Sequence, residues 1–571
     1  MTLSDAIAAA VKKVGFEDSF SIALKIAEPK YGDLQLNGAL AYAKAHGMNS
    51  REVAQKLVDA LEIDKSQITT TIAGAGFINF SYTPKALAEA VKEFKKAEDL
   101  SPRTRLKENV VVEYGSPNVG KQMHIGNFRS YKIGEAIARI IEFCGSKVHR
   151  DSHPGDWGTT FGYLIWAIKK DPHALPENDP NPLAAIDRLY KETNAKAGND
   201  PKIMSEVRAE LAKLQSGDSE NHHLWEKIVK LTLKSAAEFE ALFGIHYDTV
   251  LGESFYNDKF DQVYEELQET GLAKIDQGAL CVFHPEHPRF KTQPEIVRKS
   301  DGAGNYVTSD LATMLHRVKE FKADAIYIVV DFRQSDHFEQ LYLTTKKWFA
   351  AKGYHVPRFQ HVSFGTILGE DNKPLKTRSG ESVKLRDVLN EATERARKIV
   401  EEKNPTLPEN EKKNIAEVVG IGTLRYADLS QNRTSDYQFN WDKLLSFEGN
   451  TAPYLLYAVA RIHSLFEKLG RKTTEEFGSV ETLTSEAEIA LARKLIQAPH
   501  HIALAAADLR SHYLATYLYE LTGLFSHFYN SDPIKDQPAD IQNRRLLLAQ
   551  KTLLALETGL HLLGLKTVRR M

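Results

Sequence analysis

The sequence predicts an α/β protein: a doubly wound parallel sheet, preceded by a small α+β unit and followed by a helical bundle. Three observations predict it. Short apolar runs such as Val110–Val112 and Ala325–Val330 suit strands buried on both faces. A glycine-bearing turn and a long helical pattern follow the first run, which is the punctuation of strand–turn–helix units. After about residue 387 the strand patterns stop, and helical periodicity runs on to the end.

At 571 residues the chain exceeds what one core usually supports, so two to four domains are expected. Hydrophobic residues make up 42% and charged residues 26%, as in an ordinary globular protein. No 18-residue apolar run stands out, so no membrane span is expected. Met1–Phe16 reads as an amphipathic helix rather than a signal peptide, because its short apolar stretch has no cationic lead before it. Two cysteines, Cys144 and Cys281, exclude a disulfide scaffold and a cysteine-rich zinc site, and are consistent with a reducing cytosol. The net charge of −2 gives no global sign of nucleic-acid binding, although a local basic face remains open to a chain this large.

Taken in order, residues 1–105 form the α+β unit. Asn49 and Glu52 have capping-box spacing, Arg51–Leu61 is helical in period, and Gly74–Tyr82 is a glycine-led alternating strand. Ser101–Asn109, polar and charged, is the linker. Residues 106–387 carry the parallel sheet, with a turn at Ser116–Met123, a helix from Ile125 that ends at Gly145, and a polar helical insertion around 165–250. Residues 388–571 are helical over 388–403, 410–428, 450–468, 485–510, 511–530 and 540–564.

The chemistry concentrates in Glu113-Tyr-Gly-Ser-Pro-Asn-Val-Gly-Lys-Gln-Met-His-Ile-Gly-Asn127, at the carboxyl end of a central strand and the start of a helix. That crevice is where nucleotides bind in such sheets, and a helix N-terminus favours phosphate. Gly126 leaves room for a flat base, and Lys121 and His124 can donate to phosphate oxygens. The short string His-x-Gly-Asn alone fits equally a glycine-rich connection whose histidine caps the helix.

The whole string resembles the "HIGH" signature of class I aminoacyl-tRNA synthetases, and with the following Phe-Arg-Ser it is close to the arginyl enzymes. Asn127 departs from that pattern, standing where the family usually has a second histidine; it can still donate a hydrogen bond. His153–Gly162 (HPGDWGTTFG) matches a block of the same family, and Lys373–Leu385 resembles its degenerate "KMSKS" loop. The resemblance implies that Lys376, Thr377, Arg378 and Ser379 follow the leaving pyrophosphate, with Lys121 compensating for the loop's missing second lysine. It makes Lys121, His124, Asn127, Lys376 and Arg378 the catalytic set, with Gly126 against ATP. The fold it implies is a Rossmann-type class I catalytic domain with an insertion, a small N-terminal domain touching the tRNA elbow, and a helical anticodon-binding bundle.

Arginine is a planar cation with five donors, so a selective pocket needs carboxylates and an aromatic face. Tyr306 and Asp310 are four apart, hence on one face if the segment is helical. With Glu113 and Glu253 they match the family's guanidinium residues, while Ser116, Asn118 and Gln334 match those around the α-amino and carboxyl groups. Gln431–Phe466 is again close to the family. Tyr454, Tyr457 and Arg461, spaced three and then four apart, share a helix face that could stack on tRNA bases or belong to the core. Met571, in a terminal Arg-Met like the family's, fits an anticodon-loop contact or a frayed end.

The implied activity is arginine–tRNA ligation: ATP, with its Mg²⁺ and no dedicated protein metal site, activates L-arginine for transfer to tRNA(Arg), in a cytoplasmic monomer. The rivals are another class I synthetase or related nucleotidyltransferase, and a non-catalytic tRNA-binding paralogue suggested by Asn127. A cysteinyl enzyme would want a thiolate zinc site that two cysteines cannot supply.

Overall fold

The computed structural model describes residues 3–16, 19–102, 107–175, 177, 179, 181–376, 382–478 and 480–571. The expected loop residues Thr377, Arg378 and Ser379 lie outside the described residues, as does the middle of the linker.

The N-terminal unit is a four-stranded antiparallel sheet, in the spatial order Leu24–Ile26, Leu34–Leu36, Phe77–Tyr82, Ile68–Ala73. Helices Leu3–Lys13, Gly38–His46 and Ser50–Ala60 cover it around Ile7, Leu36, Val53, Leu57 and Ile78. Asn49 caps the third helix as its spacing predicts, its side chain accepting from the Arg51 and Glu52 amides.

The central sheet is parallel and five-stranded. Its middle strand, Asn109–Glu113, is flanked by Lys147–Ser152 and Thr249–Val250 on one side. Ala325–Ile328 and Arg358–His361 flank it on the other. Sequential strands therefore wind outward in both directions from Asn109–Glu113. The topological switch point falls between it and Ala325–Ile328, where a ligand crevice is expected at the carboxyl ends. Val110, Val111 and Val112 are all buried because helices cover both faces.

The insertion comprises helices Thr159–Lys170, Pro182–Asn199, Pro201–Gln215 and Ser219–Leu242, with a small core of their own around Phe161, Leu164, Ile186 and Ile228. A second element was not expected: a three-stranded antiparallel sheet of Ala273–Asp276, Ala279–Val282 and Glu295–Arg298.

The helical half runs through Leu385–Lys403, Glu409–Leu429, Ala452–Lys468, Glu486–Leu495, Ala498–Ala507, His512–Ser531 and Ala539–Leu562. Two expectations are corrected. The stretch read as one helix over 485–510 is two, because Pro499 has no amide to continue the ladder and opens a new helix. Strands do not stop at 387: Tyr437–Gln438 pairs in parallel with Ile367–Leu368. One hydrophobic core runs from Ile133 and Ile137 under the sheet through Leu424 and Leu455 to Leu556, so the bundle is welded to the α/β half. Among the described residues no helix is long and apolar enough to cross a membrane.

Candidate active site

The helix Ile125–Phe143 points its N-terminus at the switch point. Its first turn is held by two neighbours at once. The His124 ring Nδ1 accepts the Asn127 amide at 3.2 Å, and Asn127 Oδ1 accepts the His124 amide at 3.1 Å. The histidine thus caps the helix and also lines the crevice. Because Nδ1 is an acceptor, neutral His124 carries its proton on Nε2, leaving that N–H free to donate. Burial first, then the charges of Arg333 and Lys384, lower its pKa, which favours the neutral form.

Ser130, one turn further on, stitches the switch point together. Its hydroxyl accepts the Gly115 amide at 2.8 Å and donates to the Val329 carbonyl at 2.6 Å, joining the ends of both flanking strands. Gly115 has φ +74°, and a Cβ there would lie 2.2 Å from Tyr247 Oη. Only glycine fits. The stem of the lysine-rich loop is sewn to the same motif: Ile125 donates to the Val383 carbonyl at 3.1 Å and Leu385 to that of Met123 at 3.2 Å.

Between these pieces lies a cleft of about 380 Å³, within the usual range for small-molecule sites. Seven of the expected residues line it: Ser116, Asn118, Lys121, His124, Gly126, Asn127 and Gln334. Asp331 and Arg333 also line it and escaped the sequence reading. Arg333 is held by Asp331 at 2.8 Å. Lys376 is exposed and does not line the cleft.

None of the expected carboxylates, nor Tyr306, lines this cleft: Glu253 and Asp310 gather in a recess around His153, whose amide donates to the Ser116 hydroxyl at 2.9 Å. Asp310 projects from helix Tyr306–Lys319, so the condition for Tyr306 and Asp310 to share a face is met. Its Oδ2 lies 2.6 Å from His337 Nε2, and its Oδ1 is 3.8 Å from His153 Nε2. The Tyr306 ring, largely exposed, meets His337 edge-on with centroids 4.8 Å apart. Glu253 joins them through its amide, which donates to the Pro154 carbonyl. Among the described residues no cation pairs with Glu253. Burial chiefly pushes its pKa up to about 7, with the charge of His153 opposing and those of Asp310 and Asp156 adding to the rise. Burial would lower the pKa of His337, but its bond to Asp310 and the charges of Asp310, Glu295 and Glu113 raise it.

Glu113 differs from the other three. It is buried and paired internally, its Oε2 accepting from Arg317 Nη2 at 2.7 Å while Oε1 accepts from the Ser116 hydroxyl at 3.3 Å. Arg317 binds Asp151 as well, at 2.8 Å. The sequence reading missed Arg317, and no local signal marks it, since its partners lie 204 and 166 residues away.

Tyr454, Tyr457, Arg461 and Met571 belong to the bundle instead. Tyr454 packs partly on its core, and Met571 does too. Tyr457 is exposed, with Arg461 stacked 4.7 Å over its ring. The molecule therefore offers a cleft edged by Lys121, Arg333 and a helix N-terminus, beside a recess in which Asp310 is held by His337 and Glu253 has no cation partner among the described residues.

The chain is similar to known proteins along its length. The description "tRNA synthetases class I (R), catalytic domain" matches residues 89–441, "Arginyl tRNA synthetase N terminal domain" residues 1–82, and "DALR anticodon binding domain" residues 455–571. Arginine–tRNA ligases of Mannheimia succiniciproducens and Chromobacterium violaceum are 40% and 39% identical, covering 100% of this chain and 99% of their own. The crystal structure of arginyl-tRNA synthetase from Plasmodium falciparum superposes with a TM-score of 0.86 at 27% identity, covering 100% of this chain and 98% of that one. The Thermus thermophilus arginyl-tRNA synthetase gives 0.83 at 25% identity, covering 100% and 99%. With its switch-point cleft, its carboxylate recess and full-length matches of this kind, the chain belongs to the arginyl-tRNA synthetase family.

Proposed function

We propose that this arginine–tRNA ligase activates L-arginine in the switch-point cleft, with the guanidinium in the recess of Glu253, Tyr306 and Asp310. The observation that carries the reading is charge: the cleft is edged by Lys121, Arg333 and a helix N-terminus, and the recess holds Glu253, which no cation among the described residues pairs, beside Asp310, which has one oxygen on His337 and the other 3.8 Å from His153. A triphosphate and a guanidinium fit those two signs in that order.

In the first step an arginine carboxylate oxygen attacks the α-phosphorus of ATP, and pyrophosphate leaves. The His124 Nε2–H, Lys121 and the helix N-terminus are the donors assigned to the charge that builds on the phosphates. Asn127 holds His124 in that role, and Gly126 keeps the approach open. Ser116, Asn118 and Gln334 are assigned to the arginine α-amino and carboxyl groups. Glu113, paired with Arg317, acts by orienting Ser116. Lys376 and the 377–379 segment are assigned to the departing pyrophosphate. In the second step the terminal 2′-hydroxyl of tRNA(Arg) attacks the acyl carbon and AMP leaves. Mg²⁺ brought with ATP would supply further neutralisation of phosphate charge beside Lys121 and His124.

Tyr454, Tyr457, Arg461 and Met571 are the candidate anticodon-loop contacts, and residues 1–105 the candidate elbow contact. The reading includes a cytoplasmic monomer, a setting supported by two buried, unpaired cysteines. Arginine-dependent exchange of pyrophosphate into ATP, stimulated by tRNA(Arg), tests the proposal. No exchange under those conditions overturns it in favour of a non-catalytic tRNA-binding role.

A further inference from the structure

The guanidinium recess contains two imidazoles as well as its carboxylates, and their hydrogen bonds fix what each can offer. The His153 Nδ1 lies 2.9 Å from the Leu251 carbonyl, which can only accept, so Nδ1 carries a proton. In the neutral ring Nε2 is then a bare lone pair. That nitrogen is fully buried and has no hydrogen-bond partner among the described residues. A protonated Nε2 would be a buried donor left without an acceptor, since Asp310 Oδ1 stands 3.8 Å away, beyond hydrogen-bond reach. His337 takes the other oxygen of Asp310 at 2.6 Å, which leaves Oδ1 free and turned toward His153.

We propose that His153 is a specificity-determining residue for arginine: its Nε2 lone pair accepts a guanidinium N–H, beside Asp310 Oδ1 and the Glu253 carboxylate. The proposal rests on the guanidinium occupying this recess. A guanidinium presents five N–H donors in one plane, and two carboxylates alone leave part of that edge unmatched. A neutral acceptor set between them satisfies a further donor without adding a third negative charge to a buried site that already strains to ionise Glu253. His337 is a positioning residue in this scheme. It holds the Asp310 carboxylate in one orientation and does not itself touch the substrate.

The HPGDWG segment supports the assignment. Gly155 runs alongside Asn118, with the Val119 amide donating to the Gly155 carbonyl at 3.1 Å and the Gly155 amide to that of Pro117. Trp225 Nε1 donates to the Asp156 carbonyl at 2.7 Å, and Asp156 accepts from Ser254. His153 is thus fixed on both sides of the recess, by its own loop and by the segment that brings Glu253.

Two substitutions separate recognition from scaffolding. Asparagine can place its amide nitrogen where Nδ1 stands and keep the Leu251 bond, but it has no acceptor where Nε2 was. Glutamine can place its carbonyl oxygen near Nε2 and loses the Leu251 bond. In the full-length enzyme, measured by calorimetry with L-arginine and by exchange kinetics with tRNA(Arg), His153→Asn is expected to weaken arginine binding about 10- to 100-fold. The KM for ATP is expected to stay within about twofold, and His153→Gln to recover most of the loss. Arginine binding by His153→Asn at the wild-type level, or a larger loss in His153→Gln than in His153→Asn, overturns the proposal. Should either variant fold poorly, ¹⁵N-labelled histidine in the wild-type protein gives the same answer: the Nε2 resonance of His153 shifts on adding arginine, and an unmoved signal overturns the assignment. Asp310→Asn is the control on the underlying site. If it binds arginine normally, the guanidinium lies elsewhere; if it loses arginine while His153→Asn does not, only the role of His153 falls.

Discussion

His124 and Asn127 cap one another: each side chain accepts the other's backbone amide, at 3.2 and 3.1 Å. The departure from the family's second histidine is therefore a built feature of the helix start. Asn127→Ala removes one acceptor of that pair and is expected to cost about 1 kcal/mol of stability, read as a lower thermal midpoint. It also frees the backbone of His124, and the exchange rate is expected to fall by about 10²-fold. Asn127→His keeps a side-chain acceptor and a donor, so activity is expected to survive. An Ala variant as active as the wild type refutes the catalytic assignment of this position.

Asp428 anchors the same helix to the bundle. Its carboxylate takes Arg129 Nη2 and Lys132 Nζ, each at 2.7 Å, with all three side chains at most 2% exposed. Asp428→Asn leaves two buried cations unbalanced, and a loss of about 3–5 kcal/mol is expected in urea unfolding. Lys132 and Arg129 hold the Asp428 pKa below its usual value against the effect of burial. The sign follows: a carboxylate depressed in the folded state contributes stability above its unfolded pKa and loses it as pH falls below. The wild type should lose stability faster than Asp428→Asn when acidified below about pH 4.

Glu253 has the opposite sign. Burial is the main reason that its pKa stands at about 7. A carboxyl raised in this way favours the free folded enzyme below its unfolded pKa, and loses that contribution as pH rises through 7. A bound guanidinium needs the ionised form. Arginine affinity is therefore expected to rise with pH and level off above 7, with a slope of up to about tenfold per pH unit on the acid side. Glu253→Gln, though weaker throughout, should flatten that slope. Calorimetry between pH 5.5 and 8.5 measures both, and an unchanged slope in the variant removes Glu253 from the recess chemistry.

Local pattern carried much of this molecule and long-range pairing the remainder. The signature from Glu113 to Asn127 was legible because strand, turn and helix signals follow one another within a few residues. The Tyr306–Asp310 face needed only a helical period. Arg317, by contrast, is buried against Glu113 and Asp151 from two distant segments, and nothing around it in the sequence differs from a surface arginine. His153 stood within a string already singled out and His337 three residues beyond Gln334, yet their hydrogen-bond partners, Leu251 and Asp310, lie 98 and 27 residues away. The hairpin at Asp276–Ala279 was missed for a chemical reason. Gln277 and Gly278 are both left-handed, at φ 48° and 83°, a turn usually signalled by Asn-Gly or Asp-Gly.

The exposed face of helix Ala452–Lys468 yields the last expectation. Arg461, half-buried, lies 4.7 Å from the centroid of Tyr457 and 5.4 Å from that of Tyr529, so two rings hold its guanidinium near the surface that Tyr457 exposes. Tyr457 in turn contacts Phe447 edge-on at 6.1 Å, in the loop that leads into the helix. A pre-set aromatic and cationic surface of this kind suits stacked bases and phosphates, and base stacking is worth about 1–3 kcal/mol per base. Tyr457→Ala is expected to raise the KM for tRNA(Arg) by about 5- to 150-fold, with the KM for arginine unchanged. Arg461→Ala should do the same and also make tRNA binding less sensitive to salt, since one phosphate contact is lost. Because Tyr457 is half in solvent, neither effect can be ascribed to unfolding if the thermal midpoint holds. A normal KM for tRNA in both variants assigns the pair to the bundle's packing instead.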